Sequence, residues 1–253
     1  MTRGTLDFVS LSHEFRLVPF TYEYPRPAVT ADVVLFTLQG ADLAVLLIRR
    51  ARAPFKGAWA LPGGFVDKDE PLERAAAREL AEETGVTGIV LEQLAAFGDP
   101  GRDPRGHTVS VAFFSFVAAE RHLVRAGDDA SEAAWVPLTK LTASAPRSTR
   151  KRSSRRTNDD YALAFDHAAV IQLARRRLQE RLVDPRRPAQ FELVPLQFTL
   201  TELQHVHEAI LGQPLDKRNF RARLLASKVV QEVGRRRMGR HRPAQLYRFR
   251  QEG

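Results

Sequence analysis

The chain contains no cysteine, which excludes a disulfide framework, thiolate metal ligation and a cysteine nucleophile. No uninterrupted apolar run approaches the ~20 residues that a membrane-crossing helix needs. Met1 to Phe15 lacks the apolar core of a signal peptide. Internal repeats are also absent. These absences predict a soluble cytoplasmic protein with no membrane partner. What is present is globular in character: 253 residues, 43% hydrophobic and 27% charged, enough for one large domain or two small ones.

The net charge of +9 is spread unevenly. Residues 1–146 carry 15 Lys/Arg against 19 Asp/Glu. Residues 147–156 carry six basic residues and no acidic one, and residues 157–195 balance at six each. Residues 196–253 carry twelve basic and five acidic residues, a net of +7. An acidic front and a basic back predict two modules with different partners, the second facing a polyanion. A generally Arg-rich composition would not leave the front acidic.

Val33-Val34-Leu35-Phe36 and Leu43 to Ile48 are apolar runs separated by Gln39-Gly40-Ala41-Asp42, the pattern of a buried β-hairpin or two adjacent strands. Trp59-Ala60-Leu61 leads into Pro62-Gly63-Gly64, a turn signal. From Pro71 to Thr84 there is no further Gly or Pro and Ala, Leu, Glu and Arg dominate, so a helix is expected. Pro71 suits its first position and Gly85 its left-handed end. Strands are expected at 89–96 and 108–118, flanking a loop from Gly98 to Gly106. The front module therefore reads as α+β.

Arg147 to Arg156 has the composition of a mobile loop. After it, Leu163, His167, Val170, Ile171, Ala174, Leu178 and Leu182 recur at helical spacing, with Arg175, Arg176, Arg177 and Arg181 on the other faces. Pro185-Arg186-Arg187-Pro188 stops this linker helix. Thr199 and Glu202 have capping-box spacing, and Leu203, Val206 and Ile210 form a buried stripe. Gly212-Gln213-Pro214 breaks that helix and a second begins near Asp216, with Phe220, Leu224 and Leu225 inward. A β-prone stretch, a Gly/Arg turn and Leu246 to Phe249 complete the pattern of a winged helix-turn-helix. The divisions expected are an arm (1–27), a front domain (28–146), a basic loop (147–160), a linker helix (161–184) and a winged helix-turn-helix domain (191–253).

The densest signal lies between Gly64 and Val86. Glu70 follows Gly64 after five residues, and Arg78-Glu79-Leu80 follows after seven more. Glu82-Glu83, Gly85 and Val86 close the segment. On a helix, Glu79, Glu82 and Glu83 fall within about 100° of one another. Three carboxylates on one face repel, so the pattern points to hard oxygen ligands for Mg²⁺ or Mn²⁺. Glu70 at the helix entrance can fold back toward them, Arg78 can pair with one and hold its rotamer, and Gly64 permits a tight turn and close approach.

The segment fits G-x5-E-x7-R-E-U-x-E-E-x-G-U (U aliphatic) and so resembles the Nudix hydrolase family, as does its Trp59 to Gly64 lead-in. The resemblance implies an α/β/α sandwich with a mixed sheet and hydrolysis of a nucleoside diphosphate linked to another moiety. Glu79, Glu82 and Glu83 would be the metal ligands and, with Arg78, the catalytic group. The general base stays open and can lie outside the motif. The wording from Phe97 to His107, followed by Val109-Ser110-Val111, resembles the substrate loop of ADP-ribose-type Nudix proteins. Arg102 and Arg105 there suit bidentate phosphate contact beside Gly64, while His107 reads as structural.

In the back module, Lys217, Arg218, Asn219 and Arg221 crowd the start of the second helix, where phosphate and base-edge contacts occur. Arg235, Arg236 and Arg237, then Arg240, His241 and Arg242, would lie on the wing. Leu163 to Ala168, Phe198 to Gln204, Leu215 to Arg221 and Arg242 to Phe249 together resemble the Nudix-related transcriptional regulators of NAD metabolism. That resemblance spans about Tyr24 to Phe249. It implies a homodimer that binds palindromic double-stranded DNA and releases it on binding ADP-ribose. Many such regulators carry degraded motifs. This one is intact, which favours retained hydrolysis. The reading is a metal-dependent pyrophosphohydrolase for ADP-ribose or a related nucleotide fused to a DNA-binding winged helix. The alternative is an ADP-ribose-sensing repressor with little hydrolysis. A winged helix serving only dimerisation also stays open, as do NADH, nucleotide sugars and dinucleoside polyphosphates as ligands. The basic loop looks like an insertion, either solvated or in non-specific DNA contact.

Overall fold

The computed structural model describes residues 23–24, 26–119, 122–127, 130–142, 161–182, 194–238 and 243–250. The expectations for the N-terminal arm up to residue 22, the basic stretch 147–156 and Arg240 to Arg242 fall outside these residues.

The two apolar runs form an antiparallel hairpin, β1 (Ala28–Gln39) and β2 (Asp42–Arg50), with Gln39 opposite Asp42. β3 (Trp59–Ala60), β4 (Gly63–Phe65), helix α1 (Leu72–Thr84), β5 (Glu92–Phe97), β6 (Thr108–Phe116) and β7 (Ala130–Pro137) complete a seven-stranded sheet ordered β3-β2-β1-β6-β5. β4 adds to β1 and β7 to β2. β1 and β6 run parallel while the other pairs are antiparallel, so the sheet is mixed.

Within β1, Val33 to Phe36 form an unbroken apolar run because both faces of the strand are covered. Val33 and Leu35 pack with Ala75, Ala76 and Leu80 of α1. Val34 and Phe36 face the opposite layer, which holds helix α2 (His167–Arg181). That second core continues without interruption from Val170, Ile171, Ala174 and Leu178 into Phe198, Leu203, Val206 and Ile210 of the back module. The front is the expected sandwich, and one of its covering helices is shared with the back module.

The back module contains α3 (Leu200–Leu211), α4 (Lys217–Ala226) and the antiparallel hairpin β10 (Val230–Arg237) and β11 (Ala244–Phe249), with a bridge from Phe198 to Tyr247. Two further strands, β8 (Leu141–Thr142) and β9 (Tyr161–Ala162), pair in parallel across the basic loop. The capping box is complete: Thr199 Oγ1 accepts from the Glu202 N–H at 3.2 Å, and the Glu202 carboxylate accepts from the Thr199 N–H at 2.7 Å.

Several local expectations are corrected. Gly63-Gly64 is strand rather than turn, because its backbone pairs with Ala31 and Asp32 of β1. Pro71 precedes α1 as its extended cap residue, and its carbonyl accepts from the Arg74 and Ala75 N–H groups at 3.0 Å. Gly85 ends α1 in the left-handed region, at φ 73° as expected. The strand expected from Ile89 starts only at Glu92. Residues 161–166 do not belong to the linker helix: Leu163 bridges Trp59, and Phe165 at φ 52° cannot continue a right-handed helix. Leu225 is 47% exposed rather than inward, whereas Phe220 and Leu224 pack on the core.

Candidate functional site

A cleft open to solvent lies where β1, β2, β4, the loop after β5 and the entrance of α2 meet. Beside the cleft, α1 presents its acidic face to β4, whose residues Gly63, Gly64 and Phe65 line it. Arg78 organises this face. Its Nε and Nη2 donate to Glu70 at 2.8 Å each, and its Nη1 donates to Glu79 at 2.7 Å and to Glu82 at 3.3 Å. The Arg78 hydrogen bonds, seconded by the Asp67 N–H, hold the Glu70 carboxyl down at about 2. Glu70 thus folds back to the cluster and Arg78 pairs with its carboxylates, the contacts the sequence suggests.

Glu83 turns toward β4, where its carboxylate accepts from the Gly63 N–H at 2.9 Å. Burial pushes it up to about 8 against that hydrogen bond, and the neighbouring Glu79 and Asp32 charges add to the rise. Burial raises Glu79 as well, against the pull of Arg78. Gly64 is needed for close approach, since a Cβ there would stand 2.4 Å from Glu79 Oε1. Glu82 is different: its side chain is 61% exposed, and its carboxylate accepts from Arg78.

The three glutamates are thus on one helix face without being gathered at one point. Among the described residues, no group of three His, Asp or Glu side chains stands as a ready metal nest. Arg78 lies among the carboxylates instead. The donor chemistry nevertheless fits a hard divalent ion. Glu79 and Glu83 are crowded, half-buried carboxylates whose charge a cation would stabilise.

The cleft itself is lined by residues that motif spacing does not reveal. Asp32, buried in β1, accepts from Ser110 Oγ and lies 3.9 Å from Arg102 and 4.0 Å from His167 Nε2. The Leu61 N–H donates to His167 Nδ1 at 2.9 Å, so the proton of a neutral ring sits on Nε2, facing Asp32. Complete burial lowers the imidazole's affinity for a second proton. Asp32 does carry a sequence signal: it is one charge inside an apolar strand. Arg50, Phe165 and Asp166 carry none that stands out locally.

Arg102 and Arg105 both line the cleft, and each is already paired. Arg102 is held bidentately by Asp166, and Arg105 by Asp103. The Arg105 guanidinium also lies 4.9 Å from the centre of the Phe65 ring. His107 is exposed and contacts the Gly98 carbonyl at 3.3 Å, away from the carboxylates.

In the back module, the Asp216 side chain caps α4 by accepting from the Asn219 N–H at 2.8 Å. Lys217, Arg218 and Asn219 are exposed at that helix start. Glu208 Oε1 accepts from the Leu215 N–H and from Gln204 Nε2, both at 2.9 Å, which fixes the turn between α3 and α4. Arg221 is turned partly inward, where it donates to Thr201 Oγ1 at 3.0 Å. Arg235 and Arg236 are exposed on β10. Arg237 is occupied by Glu202 and by the Gln197 carbonyl.

A mixed sheet between helices, with the α1 carboxylates set against a glycine strand and a winged helix behind, defines a Nudix domain fused to a DNA-binding module. The NUDIX domain model matches residues 26–157, and the NrtR DNA-binding winged helix domain matches residues 190–249. The chain belongs to the Nudix family and carries the NrtR type of winged helix domain.

It is 38% identical over 229 residues to the "ADPR responsive transcriptional repressor NtrR" of Acinetobacter baylyi, covering 90% of this chain and 84% of the relative. The crystal structure of Shewanella oneidensis NrtR complexed with a 27mer DNA is similar at a TM-score of 0.65 and 36% identity, covering 88% of this chain and 93% of that one. An ADP-ribose pyrophosphatase of Methanocaldococcus jannaschii is 39% identical over 148 residues, 58% of this chain and 73% of the relative.

Proposed function

We propose that the chain is an ADP-ribose-responsive DNA-binding regulator. The Nudix cleft takes ADP-ribose or a related nucleoside diphosphate derivative, and the winged helix takes double-stranded DNA as part of a homodimer. The observation that carries this reading is α2. Residues at its entrance, Phe165 and His167, wall the cleft. Its later turns are bonded to the winged helix, where Arg175 Nε and Gln179 Nε2 donate to the Ile210 carbonyl at 3.3 and 3.0 Å. A ligand that displaces the start of α2 displaces the support of α3. Likeness to a repressor along 90% of the chain supports the same reading.

Within the cleft, Gly64 gives backbone access and the Arg102 and Arg105 loop supplies positive charge. On the DNA side, Lys217, Arg218 and Asn219 would meet phosphates and base edges, with Arg236 and its neighbour Arg235 on the wing. Two such heads on a homodimer would match two half-sites.

A second activity, compatible with the first, is favoured by the raised Glu79 and Glu83. A divalent Mg²⁺ or Mn²⁺ held by Glu79 and Glu83, with Glu82 reaching in, would neutralise the diphosphate and activate water. Arg78 then orients Glu79, and the Gly63 N–H orients Glu83. ADP-ribose would give AMP and a phosphorylated sugar.

A mobility-shift titration of the full chain on upstream genomic DNA tests the regulator, with ADP-ribose as the variable. The expected result is a salt-sensitive shift that ADP-ribose reverses. A shift blind to ADP-ribose, or no salt-sensitive binding at all, overturns it. Mg²⁺-dependent AMP release, lost in Glu83→Gln, tests the second activity separately. Absence of turnover across a panel of nucleoside diphosphate derivatives removes hydrolysis and leaves regulation standing.

A further inference from the structure

We infer that Arg175 is the positioning residue that carries the state of the cleft to the winged head, and that duplex DNA on the head in turn loosens the cleft's hold on its nucleotide. This deepens the proposed function and rests on its reading that nucleotide and DNA oppose each other.

A helix leaves its last carbonyls without partners of its own, and its dipole concentrates negative charge at that end. The Ile210 carbonyl, near the end of α3, is one of these. It accepts two hydrogen bonds from α2, from Arg175 Nε at 3.3 Å and from Gln179 Nε2 at 3.0 Å. Arg175 thereby brings a full cation to the negative pole of α3. Its guanidinium also lies against the residue that ends the helix. Gly212 is left-handed at φ 73°, and a Cβ there would collide with Arg175 Nη2. The bare glycine serves both the turn and the close approach.

The core that α2 and α3 share is apolar, and apolar attraction is non-directional. It keeps the helices together without selecting one axial position, whereas two donors on one carbonyl select it. The same bonds fix the DNA-facing corner. Glu208 Oε1 of α3 accepts from the Leu215 N–H at 2.9 Å, and Gln204 Nε2 donates to the Leu215 carbonyl at 3.1 Å. Leu215 leads directly into Asp216, the cap of α4, and the exposed Lys217, Arg218 and Asn219.

At its other end, α2 opens with Asp166, which holds Arg102, and His167, which accepts from the Leu61 N–H. About 13 Å of helix separates Asp166 from Arg175. A nucleotide that shifts this entrance shifts Ile210 and the corner behind it. Linkage makes the effect mutual: DNA that favours one position of the corner weakens, by the same factor, a nucleotide that favours the other.

Fluorescence anisotropy of the full chain on a labelled upstream genomic duplex, with and without excess ADP-ribose, reads the coupling as a ratio of two dissociation constants. Calorimetric titration of ADP-ribose with and without the duplex reads it in the other direction. The parent chain is expected to give the same ratio both ways, on the order of tenfold. Arg175→Ala should bring both ratios to within about twofold of one. Its affinity for either ligand alone should stay within about threefold of the parent's. Arg176→Ala, exposed on the same helix, is the charge control and should keep the parent ratio.

Gly212→Asn decides the matter if Arg175→Ala melts early. Asn tolerates the left-handed conformation, while its Cβ pushes the Arg175 guanidinium aside, so coupling should fall with Arg175 still in place. A ratio equal to the parent's in the deciding variant, or an equal loss in Arg176→Ala, overturns the assignment. So does a DNA affinity that falls tenfold or more without ADP-ribose, which would make Arg175 a plain support of the head. A parent ratio of one in both directions is a distinct result, which removes the opposed-ligand reading and this inference with it.

Discussion

The Asp166 carboxylate receives both Nε and Nη2 of Arg102, joining the cap residue of α2 to a loop 64 positions earlier. Asp166 makes no side-chain capping hydrogen bond to its own helix, so its charge serves the cleft instead. The Arg102 side chain is only 5% exposed. Asp166→Asn would leave a buried cation facing a neutral amide, with Asp32 still 3.9 Å away. We expect a loss on the order of 2 kcal/mol, below the usual cost of orphaning a fully buried ion because Asp32 remains. Arg102→Met combined with Asp166→Asn should recover much of it. Urea unfolding of the single and double variants measures both, and an Asp166→Asn midpoint equal to the parent's would refute the role.

Gly64 and Glu79 make a second test. An added methyl at Gly64 would meet Glu79 Oε1 at 2.4 Å and Cδ at 2.5 Å, so the carboxylate must swing away. If the cleft hydrolyses ADP-ribose, Gly64→Ala should lower Mg²⁺-dependent AMP release by about 100-fold while the chain stays folded. Glu79→Gln should do likewise. Turnover in Gly64→Ala at the parent rate would show that Glu79 is not needed where it stands.

On the DNA side, the exposed Lys217 and Arg218 should behave as phosphate contacts. Replacing either by Ala should reduce the log–log salt slope of binding by about 0.9, as expected for one released counterion. Arg221→Ala should act differently, since its Nη2 donates to Thr201 and its Nε is buried with no hydrogen-bond partner among the described residues. It should loosen the α3–α4 pair more than it changes the slope. Fluorescence anisotropy at several salt concentrations, with a melting curve beside it, separates the two effects. Salt slopes unchanged by Lys217→Ala and Arg218→Ala would move the interface elsewhere.

His207 sets a pH dependence for the back module. Burial holds its imidazole down at about 4, with its ring 5.0 Å from that of Phe220 of α4 and its Nε2 without a hydrogen-bond partner among the described residues. The unfolded chain takes up a proton near 6.5 and the folded chain only near 4, so the unfolded state binds more protons in between. Stability from the neutral ring is therefore complete above about 6.5 and declines as pH falls toward about 4. His207→Leu should flatten this limb of the melting profile. A profile with the same slope in both chains would assign the acid sensitivity to another group.

Local rules made much of the molecule legible. The Gly64 to Val86 spacing revealed α1 and its acidic face because helix periodicity acts over a few residues. Thr199 and Glu202 revealed the start of α3 for the same reason: a capping box closes within one turn. The two apolar runs of β1 and β2 likewise anticipated a buried hairpin. Where reading went astray, a distant partner overrode a local preference. Gly63-Gly64 looks like a turn, yet pairing with Ala31 and Asp32 extends it. Leu163 has helical spacing, yet it pairs with Trp59.

The cleft itself depended on the tertiary fold. Asp32, Arg50, Arg102, Asp166 and His167 come from four separate stretches of chain, and no spacing rule links them. Composition and motif alone assigned the acidic wall, the basic helix and the family they resemble. Which guanidiniums are already paired, and that one helix touches both the cleft and the winged head, was decided by packing. Side-chain periodicity and caps are settled by neighbours along the backbone, whereas ion pairing and burial are settled by whichever groups the folded sheet brings within a few ångströms.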